Sequence, residues 1–225
     1  MSAEPPDAGN HVIAVDGPAA AGKGTLARRL ATHFGLPYLD TGLLYRAVGR
    51  RALDAGFDPA DPAAAGMAAH ALAASDLARS DLRGPAADRA ASLVAPHPGV
   101  RAALVVVQRA FARERGAVLD GRDIGTVIFP DAAAKLFVTA SADARAQRRW
   151  LERRAAGVDA GLAEVAAEMR ARDAQDAGRE AAPLRPAADA AVLDTTALDA
   201  DAAFVRALAV VRERLTARDA RQGSA

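Results

Sequence analysis

Apolar positions along the chain fall into two classes. Short, mostly apolar runs occupy His11–Asp16, Pro37–Asp40, Ala117–Asp120, Lys135–Thr139 and Ala190–Asp194, and four of the five end in aspartate. Runs of this length without polar alternation predict strands buried on both faces. Between them lie segments that predict helices: Gly22–Phe34, Leu43–Ala55, Val100–Arg115, Ala142–Ala156, Leu162–Ala177 and Asp201–Arg218. In the third of these, Val100, Leu104, Val107 and Phe111 fall on one stripe at the helical period. Strands alternating with helices predict an α/β fold, a central parallel sheet of about five strands flanked by helices. Ligands of such a sheet bind at the carboxyl ends of its strands.

Two stretches, from about Asp58 to Pro98 and from about Leu151 to Pro186, carry no strand signal and are punctuated by Pro and Gly. They read as excursions from one core, not as separate domains. Pro183 and Pro186 are expected to close the helix of the second stretch. There is no convincing internal repeat.

Composition corrects this picture in two places. Of the 225 residues, 51% are apolar, but 62 are alanine. Roughly a quarter of the chain is left to build the core, and the alanine excess moves the expectation toward helix. The length suits one domain. The cations are 27 arginines and two lysines, Lys23 and Lys135. A single arginine is therefore weak evidence for a site, whereas each lysine is informative. The net charge of +1, with both signs mixed, argues against a dedicated nucleic-acid or membrane-surface protein. The absence of cysteine removes disulfides, thiolate metal sites and thiol nucleophiles, which fits the cytoplasm. No apolar run reaches the length of a membrane span. Residues 1–10 lack the regions of a signal peptide and read, with 219–225, as flexible tails.

The strongest motif is Gly17-Pro18-Ala19-Ala20-Ala21-Gly22-Lys23-Gly24-Thr25. It follows one strand-like run and opens a helix, the context that a phosphate loop requires. Glycines let successive backbone N–H groups converge on a phosphate, and the helix adds its positive end. Lys23 can reach the terminal phosphates, and the Thr25 hydroxyl can meet magnesium. The strict pattern places Ser or Thr directly after the lysine; here Gly24 intervenes. The competing reading, a tight strand-to-helix turn with a solvated lysine, is weak where lysine is so rare.

Four further constellations keep alternatives open. In Tyr38-Leu-Asp40-Thr41-Gly-Leu-Leu-Tyr-Arg46, Asp40 or Thr41 can cap a helix, and Arg46 either lies on the surface or reaches an anion. In Leu119-Asp120-Gly-Arg122-Asp123, Asp120 ends a strand where acids organise magnesium and its waters, while a turn with an internal ion pair fits equally in isolation. Arg145, Arg148, Arg149, Arg153 and Arg154 form either a solvated helix face or an anion grip. Arg172, Asp176 and Arg179 share a face, as a plain ion pair or as a grip on a sugar or phosphate.

Together these residues resemble the bacterial cytidylate kinase family of nucleoside monophosphate kinases. The segments that carry the resemblance are AVDGPAAAGKGTLA, YLDTGLLYR, ASLVAPHPGVR, QRAFA, LDGRDIGTVIFPDA, KLFVTAS and APLRPAADAAVLDTT, from about Val12 to Leu215. The resemblance implies a phosphate-loop NTPase fold and transfer of the ATP γ-phosphoryl group to CMP or dCMP, within pyrimidine nucleotide metabolism. It implies that Gly17 to Thr25 hold the ATP phosphates and that magnesium assists, with Thr25 near the metal, in part through water. Lys23, Asp120, Arg122, Arg148 and Arg149 take the catalytic roles, the last two as lid arginines. Arg46 and Arg122 would hold the acceptor phosphate. Thr41, Ser92, Arg101 and Asp123 match positions around the monophosphate and its base, and Arg172, Asp176 and Arg179 positions near the ribose and phosphates. Residues 58–98 would form the monophosphate-binding region and 151–186 the lid, with 11–57, 99–150 and 187–218 as core. A cytoplasmic monomer binding only CMP, dCMP and ATP is implied, with no nucleic-acid or membrane partner.

The sequence departs from that family at Thr41, where serine is common, and at Gln175, within a segment usually richer in arginine. The family carries a strand-rich insertion after the position of His70, and none is evident in Ala71–Ala91, which predicts a shorter, more helical region. Two other readings stand beside the leading one. One is a different small-acceptor kinase of the same fold, acting on UMP, shikimate or a sugar acid. The other is a nucleotide-binding regulator with little turnover.

Overall fold

A computed structural model describes residues 11–222. The tails expected at 1–10 and 223–225 lie outside the described residues. Within them, contacts divide the chain into two units: residues up to Leu39 together with those from Phe111 onward, and Asp40–Ala110.

The first unit holds a five-stranded sheet in the order β2-β3-β1-β4-β5. The strands are β1 (Val12–Asp16), β2 (Tyr38–Asp40), β3 (Ala117–Gly121), β4 (Ala134–Thr139) and β5 (Ala191–Asp194). β1 pairs in parallel with β3, from Val12↔Ala117 to Asp16↔Gly121, and with β4, from Ile13↔Ala134 to Asp16↔Phe137. β4 pairs in parallel with β5. The apolar runs thus become strands because their side chains are buried on both faces, β3 throughout its length. Helices α1 (Lys23–Phe34) and α9 (Ala200–Gln222) cover one face. Leu26, Leu30 and Phe34 meet Val211 and Leu215 over Ile13, Val15, Val118, Leu136 and Val138. Ala27, Ala203 and Ala207 complete that core, so part of the alanine excess lies where helices approach the sheet closely.

α9 runs through residues 219–222, which were expected to be a flexible tail; no Pro or Gly interrupts the pattern before Gly223. Helices α7 (Ala142–Ala155) and α8 (Leu162–Ala177) follow β4. α8 ends on Gly178 and not on the prolines further along, since the Gly178 N–H already closes the last turn onto the Ala174 carbonyl.

The second unit is helical: α2 (Thr41–Asp54), α3 (Pro62–His70), α4 (Ala74–Leu77), a 3-10 turn at Ser80–Leu82, α5 (Pro85–Val94) and α6 (Pro98–Phe111), whose last residue passes into the first unit. α2 and α5 meet at Gly49, where a Cβ would lie 2.7 Å from the Ala90 Cβ and 2.8 Å from its carbonyl carbon. The face that α6 buries differs from the expected stripe. Val100 and Leu104 are buried, but their companions are Arg101 and Gln108, while Val107 and Phe111 stay 38% and 40% exposed. The apolar residues of α6 outnumber the positions its buried side offers. Gln108 is accommodated there because its amide donates to the Leu104 carbonyl at 3.0 Å.

No single helix among the described residues is long and apolar enough to cross a membrane; α5 and α6 reach that length only as a pair bent by 105°.

Two helical glycines separate packing from propensity. Gly66 in α3 has nothing within 4 Å of its would-be Cβ. Gly66→Ala should raise stability by up to about 1 kcal/mol. Gly49→Ala should lower it by about 1 kcal/mol or more, because the overlap with backbone exceeds the propensity gain. Thermal or urea unfolding checks both signs, and a stabilised Gly49→Ala would contradict the packing of α2 on α5.

Candidate active site

The residues Gly17–Gly22 turn directly from β1 into α1 at the carboxyl end of the sheet. A Cβ on Gly17, at φ 148°, would fall 2.0 Å from the Val138 carbonyl oxygen of β4, so only glycine lets the loop cross there. Ala20 and Gly22 also take positive φ, 57° and 86°. No side chain caps α1 at Gly22, which leaves its amino end turned toward the loop. The half-buried Lys23 ammonium folds back to the Pro18 carbonyl at 3.5 Å. Thr25 lies one residue further along and is exposed. Gly24 stands where a hydroxyl was expected, for a visible reason: its would-be Cβ lies 2.9 Å from Asp120 Oδ2. Asp120 is buried and accepts the Tyr38 hydroxyl at 2.9 Å.

Asp16 ties this loop to the segment after β3. Its carboxylate accepts the Ile124 and Gly125 backbone N–H groups, each at 2.8 Å. Those residues begin a single π-helical turn, Ile124–Ile128, with Asp123 at its head. Burial pushes the Asp16 carboxyl up to about 6, against the lowering effect of the two N–H groups, with Asp123 adding to the rise. Arg122 leaves the end of β3 and donates through Nε to Asp176 Oδ2 at 2.9 Å. Asp176, on α8, also receives Arg179. Burial alone would raise the Asp176 carboxyl, but Arg122 and Arg179, with Arg172 behind them, hold it below the usual carboxylate range. The three arginines Arg122, Arg172 and Arg179 therefore gather around the Asp176 carboxylate.

The arginines of α7 divide. Arg148 donates to the Thr195 hydroxyl at 3.0 Å and its carbonyl at 2.6 Å. The Thr195 hydroxyl donates in turn to the Ala21 carbonyl of the loop at 3.0 Å. Arg149 pairs with Glu152 one turn along at 3.1 Å. Arg145, read from sequence as part of a solvated face or an anion grip, is instead buried and forked onto Asp173 of α8 at 3.1 and 2.8 Å. Around it Ala146, Val165 and Met169 pack with Trp150 against Ala19 and Ala20 of the loop.

In the second unit, Arg46 donates to Asp88 at 3.1 Å and lies 3.5 Å from Asp40. Asp40 sits at the start of α2, but its side chain makes no cap hydrogen bond, and Thr41 is a buried first helical residue. The expected cap is thus absent, and the Asp40 carboxylate faces Arg46 instead. Ser92 donates to the Asp88 carbonyl at 3.0 Å, and buried Arg101 to the Tyr45 hydroxyl at 3.4 Å. Asp88, Tyr45, Asp173, Thr195 and Asp16 were not singled out from sequence. Asp88 stands four residues before Ser92 on α5, Asp16 ends the run before the loop and Tyr45 precedes Arg46, but none of these spacings names a partner.

No group of three acidic, histidine or cysteine side chains among the described residues could hold a metal ion. The Asp120 carboxylate against α1 and the Thr25 hydroxyl are hard oxygen donors beside the loop. This sparse, hard donor set fits magnesium, which keeps several waters and takes other ligands from phosphates.

The raised carboxyl of Asp16 has a pH signature. A folded acid that binds its proton more tightly than the unfolded chain loses stability as pH rises from about 4 through about 6. Asp16→Asn is free of that loss. Its stability relative to the natural chain should improve, by up to about 3 kcal/mol, between pH 4 and 7. Urea unfolding at both pH values measures it, and a pH-independent difference would contradict the burial of this charge.

The family model for cytidylate kinase matches residues 13–213. A curated cytidylate kinase of Granulibacter bethesdensis is 66% identical over 203 residues, 90% of this chain and 97% of its own length. One from Acidiphilium cryptum is 62% identical, over 91% of this chain and 96% of its own. Among solved structures, an uncharacterised protein from Eubacterium ventriosum aligns over 90% of this chain and 98% of its own, with a TM-score of 0.51 and 15% identity, a likeness of fold alone. With the phosphate loop in place on β1 and the match running nearly end to end, the chain belongs to the cytidylate kinase family.

Proposed function

We infer that the chain transfers the γ-phosphoryl group of ATP to CMP or dCMP, giving ADP and CDP or dCDP. The observation that carries this reading is the phosphate loop built on β1 in a chain whose cytidylate kinase relatives align over nine-tenths of its length. The reading extends to a soluble, cytoplasmic monomer.

Phosphoryl transfer asks for positioning and charge stabilisation more than for covalent help. The loop N–H groups and the amino end of α1 would receive the donor β- and γ-phosphates, with Lys23 released from Pro18 to meet them. Magnesium, when bound, would neutralise phosphate charge, held by Thr25 and, through water, by Asp120. Arg148 and Arg149 on α7 would supply guanidinium forks to the transferring group. Arg122 would turn from Asp176 to the acceptor phosphate, leaving Asp176, with Arg172 and Arg179, for the ribose and its phosphate. In the second unit, Arg46 would exchange Asp88 for the acceptor phosphate, and Thr41, Ser92, Arg101 and, from the first unit, Asp123 would serve the base and ribose. A site that hydrogen-bonds the cytosine amine discriminates strongly against a base that cannot donate there. Residues 58–98 would form the monophosphate-binding region, and 151–186 a lid that keeps water from competing as acceptor.

A coupled assay with ATP and each monophosphate should show turnover of CMP and dCMP; turnover of AMP, GMP or UMP with both cytidine nucleotides inert would refute the reading. Lys23→Ala should lower kcat by about a hundredfold or more with an unchanged melting temperature. Asp123→Ala should raise the KM for CMP far more than that for ATP, and equal effects on both would remove Asp123 from the acceptor side.

A further inference from the structure

The chain's other lysine has no place in that mechanism. Lys135 stands near the start of β4, opposite Ala14 of β1, and is only 7% exposed; its ammonium points away from the phosphate loop. Its ammonium donates to the Pro130 carbonyl and pairs with Asp189 at 2.8 Å. It forms one wall of a hollow of about 610 Å³, which Asp131, Asp189, Arg214, Arg218 and Arg221 also line. Four cations face two carboxylates there, a local excess of +2 in a chain whose total is +1.

The three arginines stand four and three residues apart, on one face of the last turns of α9. Cations at a helix carboxyl end offset its dipole wherever they point. That role does not require them to converge on a hollow with a buried lysine. Arg212, two residues earlier, points elsewhere and meets His33 at 3.0 Å. Arg218 donates through Nη1 to the Asp131 carbonyl at 2.9 Å, while its Nε is buried with no hydrogen-bond partner among the described residues. Lys135, by its hydrogen bond, and then Arg214, by its charge, hold the exposed Asp189 carboxyl below the usual range, so the cations also govern the acid at the rim.

We propose that this hollow is a second anion site, which takes a phosphorylated small molecule of nucleotide size. Its volume lies within the range of small-molecule sites. Guanidinium forks and an ammonium match phosphate oxygens. Asp131 and Asp189 can accept from sugar hydroxyls or a base amine. Along β4, Lys135 lies three residues before Val138, where the phosphate loop crosses, a rise of about 10 Å, and no residue of the loop lines the hollow.

The test is calorimetric titration of the whole chain with CTP and, separately, with inorganic tripolyphosphate at constant ionic strength. The natural chain is compared with the double variant Arg214→Glu, Arg221→Glu, whose two positions are exposed. The natural chain should bind one further equivalent of probe, or bind it at least about tenfold more tightly, with kcat on CMP the same in both. Arg214→Gln alone should give the same order to a smaller degree. The extra equivalent should persist in Lys23→Ala, since Lys23 does not line the hollow. Preference for CTP would mark the ligand as a nucleotide, and equal binding of tripolyphosphate would mark phosphate as the recognised part. Identical isotherms for the natural chain and the variants, or loss of the extra equivalent in Lys23→Ala, would overturn the proposal.

Discussion

Everything at the carboxyl end of this sheet depends on two hydrogen bonds to one carboxylate. Where β3 gives way to the π-helical turn, the backbone leaves the ladder inside the protein, and the N–H groups of Ile124 and Gly125 need a partner. Asp16 supplies it from the last position of β1, joining segments 108 and 109 residues apart. The residue that launches the phosphate loop thereby also fixes the segment that carries Arg122 and Asp123. Gly125 completes the fit, since its would-be Cβ lies 3.4 Å from Asp16 and 3.1 Å from the Lys135 side chain. The burial that makes the arrangement rigid is also what makes the charge on Asp16 costly.

The arginines around this scaffold are distinguished by their acids. Arg145 is spent on structure: its fork onto Asp173 joins α7 to α8 beside the loop alanines. Arg148 reaches the loop through Thr195, so a shift of α7 is felt at the Ala21 carbonyl. Arg46 rests on the Asp88 carboxylate with Asp40 3.5 Å away, and Arg122 rests on Asp176. In the proposed reading an incoming phosphate takes the place of these carboxylates.

The strands and most helices were legible because buried parallel strands leave unbroken apolar runs and the helices between them keep their period. The phosphate loop was legible because lysine is so scarce. Alanine blurred the remainder. In α3 and α5 it occupies both buried and exposed positions, and on α6 the apolar stripe runs through Val107 and Phe111 while the fold buries Arg101 and Gln108. The carboxylate partners of the arginines were hidden for another reason. Asp173 lies 28 residues from Arg145, and Asp176 54 residues from Arg122, separations that no local spacing reveals. Asp40 misled in the opposite sense, having the right position for a cap and a nearby cation to attend to.

Asp176 gives the site one further property. Because Arg122 and Arg179 already face a carboxylate held in its charged form, an arriving phosphate does not meet bare cations stripped of water; it competes with an anion for them. In the proposed reading, binding is then an exchange of counterions. The fork geometry is kept ready in the empty state, and the net charge that must be neutralised on arrival is smaller than the number of arginines suggests.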